Sequence, residues 1–290
     1  MPWPWYTEAR VFLSNNPMML AARALLAGLS VARLLAGADA SAGRFAPIYA
    51  SSTVVHAASQ ESGTFAPNTI VTLYGRDLGY VTKGIAGADV RDGLLPTVLS
   101  GTGVRVYLDN LAAPLYFVSP TQVNFLLPGN LTRGVHKLHV ALDGQAGPQV
   151  EVRVAVAAPG VFLQLPWLAV AVRLDGSLVN TAHPAQPGDT VILFATGLGT
   201  VAGPVLRWGQ VAGSAAWLAA LDQFGVRLNG RTVPRDHIFY VGLAPGFAGL
   251  YQINMRIPAD APVNPEVQLF AEGFASAAGV RIAVGESAGP

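Results

Sequence analysis

Pro67-Asn-Thr-Ile-Val-Thr-Leu-Tyr-Gly-Arg-Asp-Leu-Gly79 and Pro187-Gly-Asp-Thr-Val-Ile-Leu-Phe-Ala-Thr-Gly-Leu-Gly199 are two versions of one segment, set 120 residues apart. At the same spacing Val106-Tyr-Leu-Asp-Asn110 matches Val226-Arg-Leu-Asn-Gly230, and Pro114 matches Pro234. Gln122-Val-Asn-Phe-Leu-Leu-Pro128 then matches Gln252-Ile-Asn-Met-Arg-Ile-Pro258 at a spacing of 130, and Val152-Arg-Val-Ala-Val156 matches Val280-Arg-Ile-Ala-Val284. Four blocks in the same order define an internal repeat, whose unit is one structural module. Ten residues enter the second copy between Pro234 and Gln252, most of them in Gly242-Leu-Ala-Pro-Gly-Phe-Ala-Gly-Leu-Tyr251.

Each block reads as a strand. Val71 and Leu73, and Val191 and Leu193, alternate with their neighbours as a half-buried strand requires, and Val152, Val154 and Val156 repeat the pattern. Asp175-Gly176 and Asn229-Gly230 lie between apolar runs and suit two-residue hairpins, while Asp143-Gly144 ends another strand. After residue 50 a helical period is arguable only over Ala215 to Leu221. Short strands with frequent turns, in units of about 100 residues, indicate sandwiches. The reading is therefore an all-β protein of two tandem immunoglobulin-like β-sandwich domains, 45–158 and 159–286, with a tail at 287–290.

Residues 1–44 read as a leader with a helical, signal-like segment. From Met18 the chain runs Met-Met-Leu-Ala-Ala-Arg-Ala-Leu-Leu-Ala-Gly-Leu, followed by small-residue cleavage positions near Ala38 and Ala40. Arg23 and Arg33 argue against a stable membrane span, so the mature chain is expected without one, secreted or at the cell surface.

Composition narrows the function. Hydrophobic residues make up 51% and charged residues 12%, half the ordinary share of about 25%, so a large core forms and disorder is excluded. A net charge of +1 gives no field to draw in nucleic acid. The absence of cysteine removes disulfides, thiolate nucleophiles and zinc–thiolate sites.

Taken together, several segments resemble a known family. They are Val54-Val-His-Ala-Ala-Ser59, Leu73-Tyr-Gly-Arg-Asp-Leu78, Ala113-Pro-Leu-Tyr-Phe-Val-Ser-Pro-Thr-Gln-Val-Asn-Phe125, Pro159-Gly-Val-Phe162, Ala195-Thr-Gly-Leu-Gly199 and Gly242 to Asn254. In order and spacing they are similar to the uncharacterised C-terminal domain family of Solibacter and other Acidobacteria, over about residues 48–285. Each half also resembles, more distantly, the immunoglobulin-like domains shared by plexins and transcription factors (IPT/TIG). The resemblance implies a fold and an extracellular setting; it implies no activity. His56 departs from the family pattern, where Asn is expected.

No nucleophile elbow, His-Glu-x-x-His, P-loop or Rossmann fingerprint is present, and no Asp-x-Asp-x-Asp run offers a calcium site. His136 and His139, three apart in a strand, face opposite ways and cannot share a metal. Asp109, Asp143, Asp175 and Asp189 sit in turn contexts. The expectation is therefore no enzyme, no catalytic residues, no metal and no cofactor.

Gln122 and Asn124, with Gln252 and Asn254, form a repeat signature whose shared role is structural. Trp167, Trp208, Trp217 and Phe247 lie on loops and are the residues that could contact a ligand, or else cap the sandwich ends and fill the seam. For Phe247 the seam is favoured. The favoured function is a non-catalytic exported structural or interaction module. A carbohydrate-binding or adhesive cell-surface domain is the alternative, and a hydrolase with a site at the domain seam comes third. The partner is accordingly a protein or a cell-surface glycan.

Overall fold

The computed structural model describes residues 45–203 and 206–286. The signal-like segment, its cleavage positions and the tail 287–290 lie outside the described residues.

The described chain is all-β, in two tandem sandwiches. In the first, β1 (Val54–His56), β2 (Thr64–Phe65), β3 (Ile70–Tyr74), β4 (Lys83–Gly84), β5 (Val104–Leu108), β6 (Leu111–Ala112), β7 (Leu115–Val118), β8 (Gln122–Leu126), β9 (Gly134–Leu142), β10 (Gln145–Ala146) and β11 (Val150–Val154) make two sheets. One has the order β1-β3-β8-β7-β4; the other runs β2-β11-β9-β5-β6, with β10 paired to β9. Val71, Leu73, Val123 and Phe125 from the first sheet meet Val104, Val106, Leu138 and Val140 from the second in one apolar core.

The second sandwich opens with β12 (Gly160–Val161), β13 (Leu163–Leu165), β14 (Leu168–Ala169), β15 (Ala171–Arg173), β16 (Leu178–Val179), β17 (Thr190–Thr196) and β18 (Ala216–Trp217). It continues through β19 (Phe224–Leu228), β20 (Arg231–Thr232), β21 (Ile238–Leu243), β22 (Tyr251–Arg256), β23 (Val267–Ala271) and β24 (Phe274–Ala275). Its larger sheet has the order β16-β15-β17-β22-β21-β18, with β12 on β17, and its smaller one β20-β19-β23-β24. The repeat is visible in the pairing: β3 lies on β8 as β17 lies on β22, and β7 on β8 as β21 on β22.

Turn chemistry follows the sequence closely. Asn229-Gly230 and Asp143-Gly144 both hold two successive positive φ angles, as a two-residue hairpin of matching twist demands. Asp175-Gly176 differs, because only Gly176 is left-handed and the Asp175 carboxylate instead accepts the Ser177 N–H at 2.9 Å. Residues 280–284 also differ from expectation. Val280, Ile282, Ala283 and Val284 are buried, but the segment forms isolated bridges. Arg281 pairs with Leu168 on one side and Glu266 on the other, so neither side offers a continuous ladder.

A third apolar cluster joins the domains. Ile70, Leu95, Tyr116 and Leu126 of the first domain pack against Phe162, Ile192, Phe194, Phe247 and Leu250 of the second. The larger sheet of the second domain is therefore buried on both faces over much of its area. Hydrogen bonds follow the same path. The Ile70 N–H donates to Thr196 Oγ1 at 3.0 Å, and that hydroxyl donates to the Gly249 carbonyl at 2.7 Å. The Tyr116 hydroxyl donates to the Ala248 carbonyl. Farther along, Leu95 N–H donates to Gly209 O (2.9 Å) and Val211 N–H to Gly93 O (2.8 Å), a strand-like contact between the domains.

Candidate functional site

The β21–β22 pairing places the candidate site. Ile238 pairs with Met255, but the next pair is Tyr240 with Asn254, so Phe239 is an extra residue in a β-bulge. A bulge turns two successive side chains to one side and breaks the period of two. Phe239 thus shares the outer face of the sheet with Tyr240. Trp217, on the edge strand β18, pairs with Gly242, which pairs with Gln252. Trp217, Phe239, Tyr240, Gln252, Asn254 and Arg256 are thereby gathered on the face turned away from the domain's own core.

Trp217 is 44% exposed and Phe239 40% exposed. Tyr240 is buried beneath Trp217, their rings 4.8 Å apart and at 68°. The Tyr240 hydroxyl is held by the backbone, donating to Leu243 O at 2.8 Å and accepting the Ala216 N–H at 3.0 Å. Gly242 permits this, since a Cβ there would stand 2.6 Å from that hydroxyl. Burial pushes the Tyr240 phenol up to about 12, so it remains protonated. Gln252 Nε2 donates to Asn254 Oδ1 at 3.3 Å, while Gln252 Oε1 is buried and accepts no hydrogen bond. The Arg256 guanidinium lies 5.3 Å from the Phe239 ring centre.

The first domain contains the same construction. Leu115 pairs with Phe125 and Phe117 with Asn124, which leaves Tyr116 as the bulged residue. Gln122 Nε2 donates to Asn124 Oδ1 at 2.9 Å, as in the second copy. Here, however, the face is closed: Tyr116, Phe117, Gln122 and Asn124 are all buried, and Tyr116 belongs to the interdomain cluster. This register also locates the inserted residues. Leu115 corresponds to Ile238, a spacing of 123, so three of the ten gained residues form the 3-10 turn Arg235–His237 and seven lengthen the hairpin after β21.

Of the four aromatic ligand candidates, only Trp217 stands on this face. Trp167 is 41% exposed in the β13–β14 turn, where its carbonyl accepts the Arg281 N–H. That turn lies beside β16, because Gln164 Nε2 donates to Val179 O. β16 and β18 are opposite edges of a sheet five strand spacings wide, roughly 24 Å. Trp208 is partly buried in the segment that meets the first domain, and its indole N–H has no partner. Phe247 is 7% exposed and packed in the interdomain cluster, at the seam where its favoured reading put it, which leaves no ring face for the alternative of a ligand contact. Phe239, Tyr240 and Arg256 were not anticipated. The adjacent aromatics Tyr116-Phe117 and Phe239-Tyr240 were the available signal, hidden by the three-residue shift in spacing.

His56 occupies a different kind of site. Its Nδ1 accepts the Ala58 N–H at 3.3 Å and its Nε2 donates to Ala158 O, in the linker between domains, at 3.0 Å. Gly160 packs so closely that a Cβ would enter the imidazole. Burial pulls the pKa down from 6.5 to about 4, and protonating Nδ1 would set two N–H groups against each other. The unfolded chain then binds a proton that the folded one refuses. Stability from this residue is complete above pH 6.5 and falls as pH drops towards 4. Between pH 7.5 and 4.5 the loss is on the order of 2–3 kcal/mol. Chemical unfolding at the two pH values should show that loss in the native chain and not in His56→Asn; equal losses in both would refute the assignment.

His136 Nδ1 and Asp109 Oδ2 are 2.8 Å apart, a geometry used in catalytic dyads. The other ring nitrogen is taken by Thr132 O at 2.8 Å, so no nucleophile can sit there and the pair holds a hairpin end. Among the described residues no three His, Asp or Glu side chains are grouped to hold a metal, and none of their helices is long and apolar enough to cross a membrane.

No protein-family model and no curated protein matches the chain. Solved structures give distant likenesses. The surface glycan-binding protein PbSGBP-B of Prevotella bryantii is 11% identical over 80% of this chain and 41% of its own, with a TM-score of 0.25. The SGBP-B of the Bacteroides ovatus mixed-linkage glucan utilization locus, in complex with a mixed-linkage heptasaccharide, is 11% identical over 85% and 47%, with a TM-score of 0.32. The tandem Ig repeats of Dlar are 10% identical over 77% and 92%, with a TM-score of 0.21. The chain spans less than half the length of the two glycan-binding proteins.

Proposed function

We propose that this chain is a non-catalytic, exported interaction module, in which two fused immunoglobulin-like sandwiches present one binding face to a partner. One observation carries the reading: the same bulged, aromatic and amide-bearing sheet face is built twice, covered by protein over β7 and β8 in the first domain, whereas in the second only its β15–β17 side is covered and Trp217, Phe239 and Arg256 stay exposed. Export rests on the apolar stretch after Met18 and the small residues that follow it.

The distribution of acid–base groups supports a role without turnover. No Asp or Glu is buried among the described residues, so none has the apolar setting that tunes a carboxyl for proton transfer. The most strongly shifted groups are His56 and four tyrosines, Tyr49, Tyr116, Tyr240 and Tyr251; each is hydrogen-bonded to the backbone. The seam, where a hydrolase site would be sought, is filled by apolar side chains from both domains. Purified full-length chain incubated with glycoside, ester and peptide substrates is expected to release no product above buffer. Release that disappears on a single Asp or Glu substitution would overturn the proposal.

A further inference from the structure

We infer that the exposed part of this sheet face in the second domain, from Trp217 to Arg256, binds a pyranose polysaccharide that carries carboxylates, with Trp217 as the stacking surface and Arg256 as the acid-reading group. The inference rests on the binding-module reading above and names the ligand class of that face.

The argument comes from what changed between two copies of one construction. In the first domain the bulged Tyr116 donates its hydroxyl to the Ala248 carbonyl, and Leu126 at the end of β8 packs into the interdomain cluster. In the second, Phe239 replaces the tyrosine and has no donor, and Arg256 stands where Leu126 does. The two features by which the first face accepts a protein loop are therefore gone. The Arg256 side chain forms no ion pair or hydrogen bond with any described residue. Covering it with a second sandwich would strand a desolvated charge, a cost of several kcal/mol. A protein cover of the first domain's kind is thus disfavoured.

What the face offers instead is amphipathic. Trp217, braced edge-on by Tyr240, keeps 44% of its surface open and has no counterpart in β4, which contributes Lys83 and Gly84. Asn254, opposite Tyr240, is half-buried on the same face. A sugar ring has an apolar C–H face for the indole and hydroxyls for the Asn254 amide. Phe239 stacks under the guanidinium and presents its planar fork, the geometry that pairs with a carboxylate. From Trp217 to Arg256 the face runs two strands across and four residues along, roughly 17 Å, which favours a chain over a single ring.

The test is titration calorimetry of the full chain with polygalacturonate and with its methyl ester, the same backbone without charge. Polygalacturonate should bind, Trp217→Ala should weaken it by roughly tenfold or more, and Arg256→Gln should reduce it to the level of the ester. Both side chains are exposed, so unfolding midpoints should not move. An absence of binding to either polymer, or equal binding by Trp217→Ala, overturns the site. Equal affinity for both polymers removes the role of Arg256. Concentration-dependent self-association that Trp217→Ala abolishes would give the face to a second copy and overturn the glycan assignment. New reducing ends in the cell would instead defeat the non-catalytic reading, whatever the binding shows.

Discussion

Replacing Gly249 with valine is expected to cost the protein about 4 kcal/mol and to split its unfolding into two transitions. Gly249 holds a φ of +68°, and a Cβ on it would run into Leu126 of the first domain and crowd Ile70 Cγ1 at 3.3 Å. A β-branched residue suffers twice, from left-handed backbone strain and from overpacking at the seam. Its carbonyl also accepts the Thr196 hydroxyl that supports the Ile70 N–H, so displacing the loop breaks that relay. Scanning calorimetry should show one transition for the native chain and two for the variant. A single transition with an unchanged midpoint would mean that the loop does not couple the domains.

Phe247→Ala acts on the same seam by removing volume. The ring is 7% exposed among first- and second-domain side chains, so truncation leaves a cavity and costs about 3 kcal/mol. Equilibrium unfolding in urea decides the matter: a change under about 0.5 kcal/mol, the ordinary surface value, is incompatible with the seam role. The two substitutions share neighbours, so their combined effect should fall short of the sum.

The sandwiches were legible because strands declare themselves by period and turns by chemistry. Asn229-Gly230 is an example, adopting the positive φ angles that its residue types favour. The seam was legible only in part. Ile70–Tyr74 and Thr190–Thr196 read as half-buried strands, and the structure corrects this: Ile70, Ile192 and Phe194 bury the second face as well. Sequence does not say what covers the second face, and only the long hairpin around Phe247 hinted at it. The candidate site was hidden for a different reason. A bulge breaks alternation, so Phe239 and Tyr240 do not read as neighbours on one face. Four loop aromatics drew attention instead, and they lie in different parts of the second domain.

The interdomain cluster has a consequence for how the chain is made. The first domain is complete at about residue 158, roughly 90 residues before Phe247 and Leu250, which cover its Ile70, Tyr116 and Leu126. At ordinary synthesis rates that gap lasts roughly 5–18 s. For that interval a first domain that has closed its own core still presents an apolar face with nothing against it. The newborn half-protein is at its stickiest just when it looks finished, which places a premium on delaying its folding until the second domain has been made.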